Sequence, residues 1–169
     1  MRLQGAIEAR VPVAQAWAVL DHPGALATVL PGLESLEEVN GDDLRGAIVA
    51  SVGPVSGRFD FEARILERTP GAAMVVAVDG VEATTQSRLE ARVTLGLSEV
   101  DLGLTRITYH ADVTPNGRLA LLGEMVLRIA AGVFLREMGN RIRRRLEALD
   151  ACGEAPVTAS RGSPPGQPA

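Results

Sequence analysis

The chain has 169 residues, 46% of them hydrophobic and 22% charged, with a formal net charge of −4. That length suits one domain with residues to spare, and that composition suits a globular core. Net negative charge and an aromatic content of 3% provide neither the basic face nor the stacking platforms that nucleic-acid binding needs.

The N-terminal run meets Arg2 and Glu8 before any apolar core of useful length, so no signal peptide is expected. Residues Arg2 to Arg10 alternate, with Leu3, Gly5, Ile7 and Ala9 on one side, which predicts a half-buried strand. Pro12 then opens a short helix in which Val13, Ala16, Trp17 and Leu20 share a face. Asp21-His22-Pro23-Gly24 breaks it, and Asp21 is placed to cap a second short helix over Ala25–Leu30. That segment is short enough to serve as a gate.

The next eighty residues read as sheet. A strand is expected near Leu33–Val39. Leu44, Gly46, Ile48, Ala50 and Val52 alternate with polar or small residues, and Gly53-Pro54 ends the run. Phe59, Phe61, Ala63 and Ile65 alternate with Arg58, Asp60, Glu62 and Arg64. Met74–Val78 is apolar on both faces, and Asp79-Gly80 signals a hairpin. Leu89, Ala91, Val93, Leu95 and Leu97 make one further inner row, and Ile107, Tyr109, Ala111 and Val113 another. About seven strands in meander order result.

Pro115-Asn116-Gly117 opens a long helix from Arg118 to about Leu149. Leu119, Leu122, Val126, Ile129 and Val133 are expected to face the sheet, continued by Phe134, Met138, Ile142 and Leu146. Leu121, Met125 and Leu135 form an outer apolar stripe suited to another protein or a lid. The apolar stretch Leu119–Leu135 contains Glu124 and Arg128 and is short for a bilayer span. Residues 1–150 are therefore read as one domain. Residues 151–169 are read as a Pro/Gly/Ser-rich tail, disordered from Gly153. Cys152 beside it can make no internal disulfide, and one thiol is no metal site. A reducing cytoplasm is the expected location.

This order of elements is α+β. A curved antiparallel sheet must cover its apolar concave face, and one long terminal helix can do so. The expected shape is a helix grip around an apolar cavity.

Several motifs occur together: Leu3-Gln4-Gly5 before Val11-Pro12, Trp17-Ala18-Val19-Leu20-Asp21 and Leu30-Pro31-Gly32-Leu33-Glu34. Val52-Gly53-Pro54, Tyr109-His110-Ala111-Asp112-Val113 and Gly117-Arg118-Leu119-Ala120-Leu121-Leu122-Gly123 follow. Over Met1 to Leu149 the chain resembles the carbon monoxide dehydrogenase G-subunit family, within the START-like (Bet v 1-like, SRPBCC) superfamily. The resemblance implies the helix-grip fold and association with a molybdenum hydroxylase of the carbon monoxide dehydrogenase type. It also implies a menaquinone-like ligand and help in bringing that enzyme to the inner membrane. Some members carry a hydrophobic C-terminal anchor; here the tail is short and polar, so at most peripheral membrane contact is expected.

The inner positions of five strands hold only apolar residues and Tyr109, while the charged residues of those strands fall outside. General acid–base chemistry needs a titrating group within reach of substrate, and a metal needs convergent ligands. Neither is expected, nor is a covalently bound cofactor. Arginine supplies all 17 basic residues, so amine-nucleophile chemistry is excluded. An apolar molecule such as a quinone, held by burial at about 25 cal/mol per Å², fits better. The expected pocket lining is Trp17, Leu30, Ile48, Val52, Phe59, Phe61, Val93, Leu95, Tyr109, Leu122, Val126, Ile129 and Val133. Tyr109 would bond either a ligand carbonyl or a backbone group. Trp17 also fits a core position, and His22 and His110 read as a turn and a solvated residue. Arg141, Arg143, Arg144 and Arg145 either complement the helix C-terminal dipole or meet an acidic partner or anionic membrane. The competing readings are a polyketide cyclase/aromatase-like enzyme and a ligand-free assembly factor for the dehydrogenase.

Overall fold

The computed structural model describes residues 1–53 and 55–153, without the side chains of Val52 and Val55. The elements are β1 (Arg2–Ala9), α1 (Val13–Asp21), α2 (Pro23–Ala27), β2 (Leu33–Asn40) and β3 (Asp43–Val52). Then come β4 (Val55–Thr69), β5 (Ala73–Glu82), β6 (Arg88–Asp101), β7 (Leu104–Pro115), α3 (Arg118–Leu121) and α4 (Glu124–Gly153). The strands form one antiparallel sheet in the order β1-β7-β6-β5-β4-β3-β2. It is a meander from β2 to β7, with β1 added beside β7, so β1 and β2 are the edges. Register shifts interrupt β4 against β5 between Ile65 and Glu67 and β2 against β3. Such bulges bend strands and help a sheet to curve.

The alternation read from the sequence is the observed pleat. Three of its boundaries differ. Asp79-Gly80 makes no hairpin: β5 runs on to Glu82, with Gly80 paired to Phe61 and Leu89. The turn falls at residues 83–87, where Gln86 takes φ 57°. The second short helix is Pro23–Ala27, with His22 rather than Asp21 at its cap. Asp21 instead lies 2.7 Å from Arg68, an ion pair without hydrogen-bond alignment. The long helix is broken. Gly123, at φ 83°, separates α3 from α4, and α4 then continues through Gly153, past the expected end at Leu149. Residues 154–169, the bulk of the tail, lie outside the described residues.

The fully buried core sits at one end of the sheet. Ala9, Val11, Ala16, Val19, Leu20, Val29, Leu97, Ile107, Ile142 and Leu146 form it. Thr105, fully buried, donates a 2.7 Å hydrogen bond to the Val11 carbonyl and fixes the entry to α1. The other end of the sheet carries Met1, Glu82, Arg88 and Pro115, and there α3 begins. Helix α4 runs from that open end to the core end. It approaches β1 closely at Gly139, where a Cβ would stand 2.8 Å from Ile7 Cγ2.

Candidate functional site

Strand register assembles the inner face row by row. Ile48, Phe59 and Glu82 form the row at the open end; Gly46, Phe61, Gly80 and Leu89 form the next. Val93 pairs with Val76 and Ala111, and Leu95 with Met74 and Tyr109. Of the expected lining, Ile48, Phe59, Phe61, Val93, Leu95 and Tyr109 therefore share one face. None is fully buried; each is half-covered, as are Ile65, Val76, Val78 and Leu89. Two aromatic rings lie over glycines of the neighbouring strand. A Cβ on Gly46 would meet Phe61 Cζ at 2.8 Å, and one on Gly5 would meet Tyr109 Cζ at 2.7 Å. Those glycines let the rings lie along the face.

The helix contributes differently from the sequence expectation. Leu122, Ile129 and Val133 are 40, 60 and 42% exposed and do not line a pocket; Val126 is half-buried. Leu119, Ile142 and Leu146 are buried and Phe134 and Met138 half-buried, as the expected stripe has them, and Leu127 is buried in addition. The break at Gly123 falls within the expected stripe, and the residues around it and in the first turns of α4, Leu122, Ile129 and Val133, come out exposed. Leu121 and Met125 are exposed as expected, at 84 and 77%, but Leu135 is half-buried. Trp17 packs against the core cluster, away from the inner-face rows. Leu30 is half-buried beside fully buried Val29, which anchors the segment expected to act as a gate. The Val52 side chain lies outside the described residues.

The four arginines do not form one patch. Arg143 and Arg145 are two positions apart, about 200° around the helix. Arg141 is half-buried and pairs with Glu137 at 2.9 Å; Arg144 also reaches Glu137, and Arg143 donates to Asn140.

Glu82 is an inward carboxylate absent from the expected lining, although the alternation Val76, Val78, Gly80 places it inside. It is 7% exposed. The Thr85 hydroxyl and the Thr85 and Thr84 amides donate to it at 2.6, 2.6 and 3.1 Å. These bonds, the hydroxyl's first, hold its pKa below the ordinary value. Such a carboxylate stays ionised and ties the β5–β6 turn; it is a poor proton donor. Buried Ser87 in the same turn accepts a bond from the Leu119 amide of α3.

The outer face is polar. Arg45–Glu62, Arg64–Asp43 and Arg106–Glu8 pair across strands at 2.6 to 2.9 Å. A shallow groove of about 830 Å³ crosses this face, bordered by Arg45, Glu62, Arg64, Asp79 and Arg92. Most of its charged groups are paired within the protein. Among the described residues no three His, Cys, Asp or Glu side chains converge on a metal position, and Cys152 is exposed. His22 and His110 are both exposed.

A second opening of about 490 Å³ lies at the seam between edge strand β1 and α4, lined by Arg2, Leu3, Tyr109, Arg128, Gly132 and Leu135. Arg128 bridges it, donating to the Arg2 carbonyl at 2.8 Å and to Glu124 at 2.5 Å. Among the described residues no helix is long and apolar enough to cross a membrane.

Comparison with known proteins agrees with this architecture. A conserved protein of Geobacillus kaustophilus superposes with a TM-score of 0.82 at 20% identity, over 88% of this chain and 96% of that one. A START superfamily protein of Mycobacterium smegmatis gives 0.70 at 12% identity, over 88% and 98%. DynU16, from the dynemicin biosynthetic locus, gives 0.57 at 18% identity, over 86% of this chain and 47% of that one. At these identities the likeness speaks for the fold alone, a START/Bet v 1-like helix grip. No match is found among curated proteins. The family model for the carbon monoxide dehydrogenase G-subunit (CoxG) matches residues 5–147, and the chain belongs to that family.

Proposed function

We infer that this protein binds an apolar, quinone-like molecule between its sheet and α4 and serves a molybdenum hydroxylase of the carbon monoxide dehydrogenase type. One observation carries the binding function. The large apolar side chains Ile48, Phe59, Phe61, Val76, Val93 and Leu95 of the inner face are only half-covered, while the main cluster of buried residues lies at the other end. Apolar surface left in water costs about 25 cal/mol per Å², so an apolar guest gains by covering it. The family's name supports the choice of partner.

Organic extraction and mass spectrometry of protein purified from its native host test the binding. A stoichiometric hydrophobic molecule is the expected result; protein that is empty and also takes up no apolar probe overturns it. Co-purification with the dehydrogenase tests the partner.

Helix α4 also offers a surface to the membrane. Met125 and Ile129 are exposed on it, with Arg136 and Arg143 further along the same side. An apolar stripe with flanking arginines suits peripheral contact with an anionic inner membrane, on the cytoplasmic side. Flotation with phosphatidylglycerol vesicles should recover the protein, and Ile129→Ser with Met125→Ser should release it. A cyclase-like enzyme has less support, because the inward carboxylate Glu82 is tied up by three donors.

A further inference from the structure

The opening between β1 and α4 has a chemistry of its own. Tyr109 lies on the inner face, and its hydroxyl has no hydrogen-bond partner among the described residues. The hydroxyl is not itself buried, so it is open to a hydrogen-bonding group that enters the seam. Its ring rests over Gly5 of the edge strand, so the hydroxyl is carried sideways to the seam rather than into the middle of the sheet. Gly132 faces the same opening from the helix. A Cβ built there would meet nothing within 4 Å, so no packing contact demands a glycine. A mid-helix glycine costs about 1 kcal/mol against alanine. Gly132 and Tyr109 line the seam together, and no side chain projects from the helix at this position. Arg128 closes one side, but its charge is already matched by Glu124 and one of its N–H groups is spent on Arg2.

We propose that this seam is the polar-head subsite of the apolar pocket, where Tyr109 donates a hydrogen bond to a neutral carbonyl oxygen of an otherwise apolar ligand. The inference rests on the binding function proposed above and names the part of the ligand the seam reads. A carboxylate is disfavoured, because both cations at the seam are already paired, Arg128 with Glu124 and Arg2 with Asp112, and leave no positive charge to balance a further anion. A hydrocarbon without an acceptor leaves the hydroxyl unpaired.

The test uses three probes of one size on the full chain: 2-acetylnaphthalene, 2-ethylnaphthalene and 2-naphthoate, with affinities from calorimetry. Acetylnaphthalene should bind wild-type protein about two- to tenfold more tightly than ethylnaphthalene, the range of one net hydrogen bond. Naphthoate should bind most weakly. Tyr109→Phe should abolish the acetyl preference and leave ethylnaphthalene unchanged, with an unaltered melting temperature. Gly132→Leu, which puts a side chain into the seam, should weaken both neutral probes. Equal binding of the two neutral probes to wild type, or an acetyl preference that survives Tyr109→Phe, overturns the subsite while leaving the pocket standing. Undiminished binding to Gly132→Leu overturns the seam as its location. Failure of every probe to bind wild type overturns the binding function itself.

Discussion

Glycine and glutamate positions shape the inner face more than its bulky residues do. A side chain on Gly46 would press on the Ser35 carbonyl at 2.5 Å and on Phe61 at 2.8 Å. Gly46→Val should therefore cost about 1–3 kcal/mol in urea unfolding. It should also weaken apolar-probe binding by pushing Phe61 off the sheet. Glu82 sets a pH dependence. Its folded pKa lies below the ordinary 4.5, so its contribution is complete above that value and is lost as pH falls through the lower folded one. Hydrogen exchange should show amides 83–87 losing protection in that acidic window, and Glu82→Ala should show the same loss at neutral pH. Glu82 was legible in the alternation of β5. Its three donors were not, because they come from a turn that the Asp79-Gly80 signal placed too early.

At the scale of elements, α4 has two halves with different duties. Its C-terminal half is structural: Leu146 is fully buried, and Leu146→Ala should cost about 2–5 kcal/mol. Its N-terminal half presents Ile129 outward, and Ile129→Ser should change stability by less than about 0.5 kcal/mol. The same two variants in a vesicle assay should behave oppositely, with Leu146→Ala floating normally once folded and Ile129→Ser depleted. Equal destabilisation by both would contradict this division. The strands were readable because their period of two survives a boundary error. The helix face is legible only in part, because a continuous helical period runs through Gly123, where the chain breaks. The left-handed glycine ends one helix and starts another, so the positions nearest it lose the expected facing while Ile142 and Leu146, further along, keep it.

For the whole molecule, burial is unequal from end to end. The core end is closed by α1 and the C-terminal half of α4, while the central strands stay half-covered. A protein built this way should be strongly stabilised by its guest. At a free ligand concentration of 100 times Kd, linkage adds about 2.7 kcal/mol to unfolding, so the melting temperature should rise steeply with apolar-probe concentration. A flat response would mean that the half-covered face takes no ligand. The amino-acid pattern alone determined the seven strands, the terminal helix, the apolar inner face and the family, because all four are written in local periodicity and short motifs. Tertiary structure alone decided that Ile129 and Val133 face outward. It also decided that Tyr109 emerges at a seam beside Gly132 and Arg128. Those facts depend on how distant segments are rotated and brought together, which no local pattern encodes.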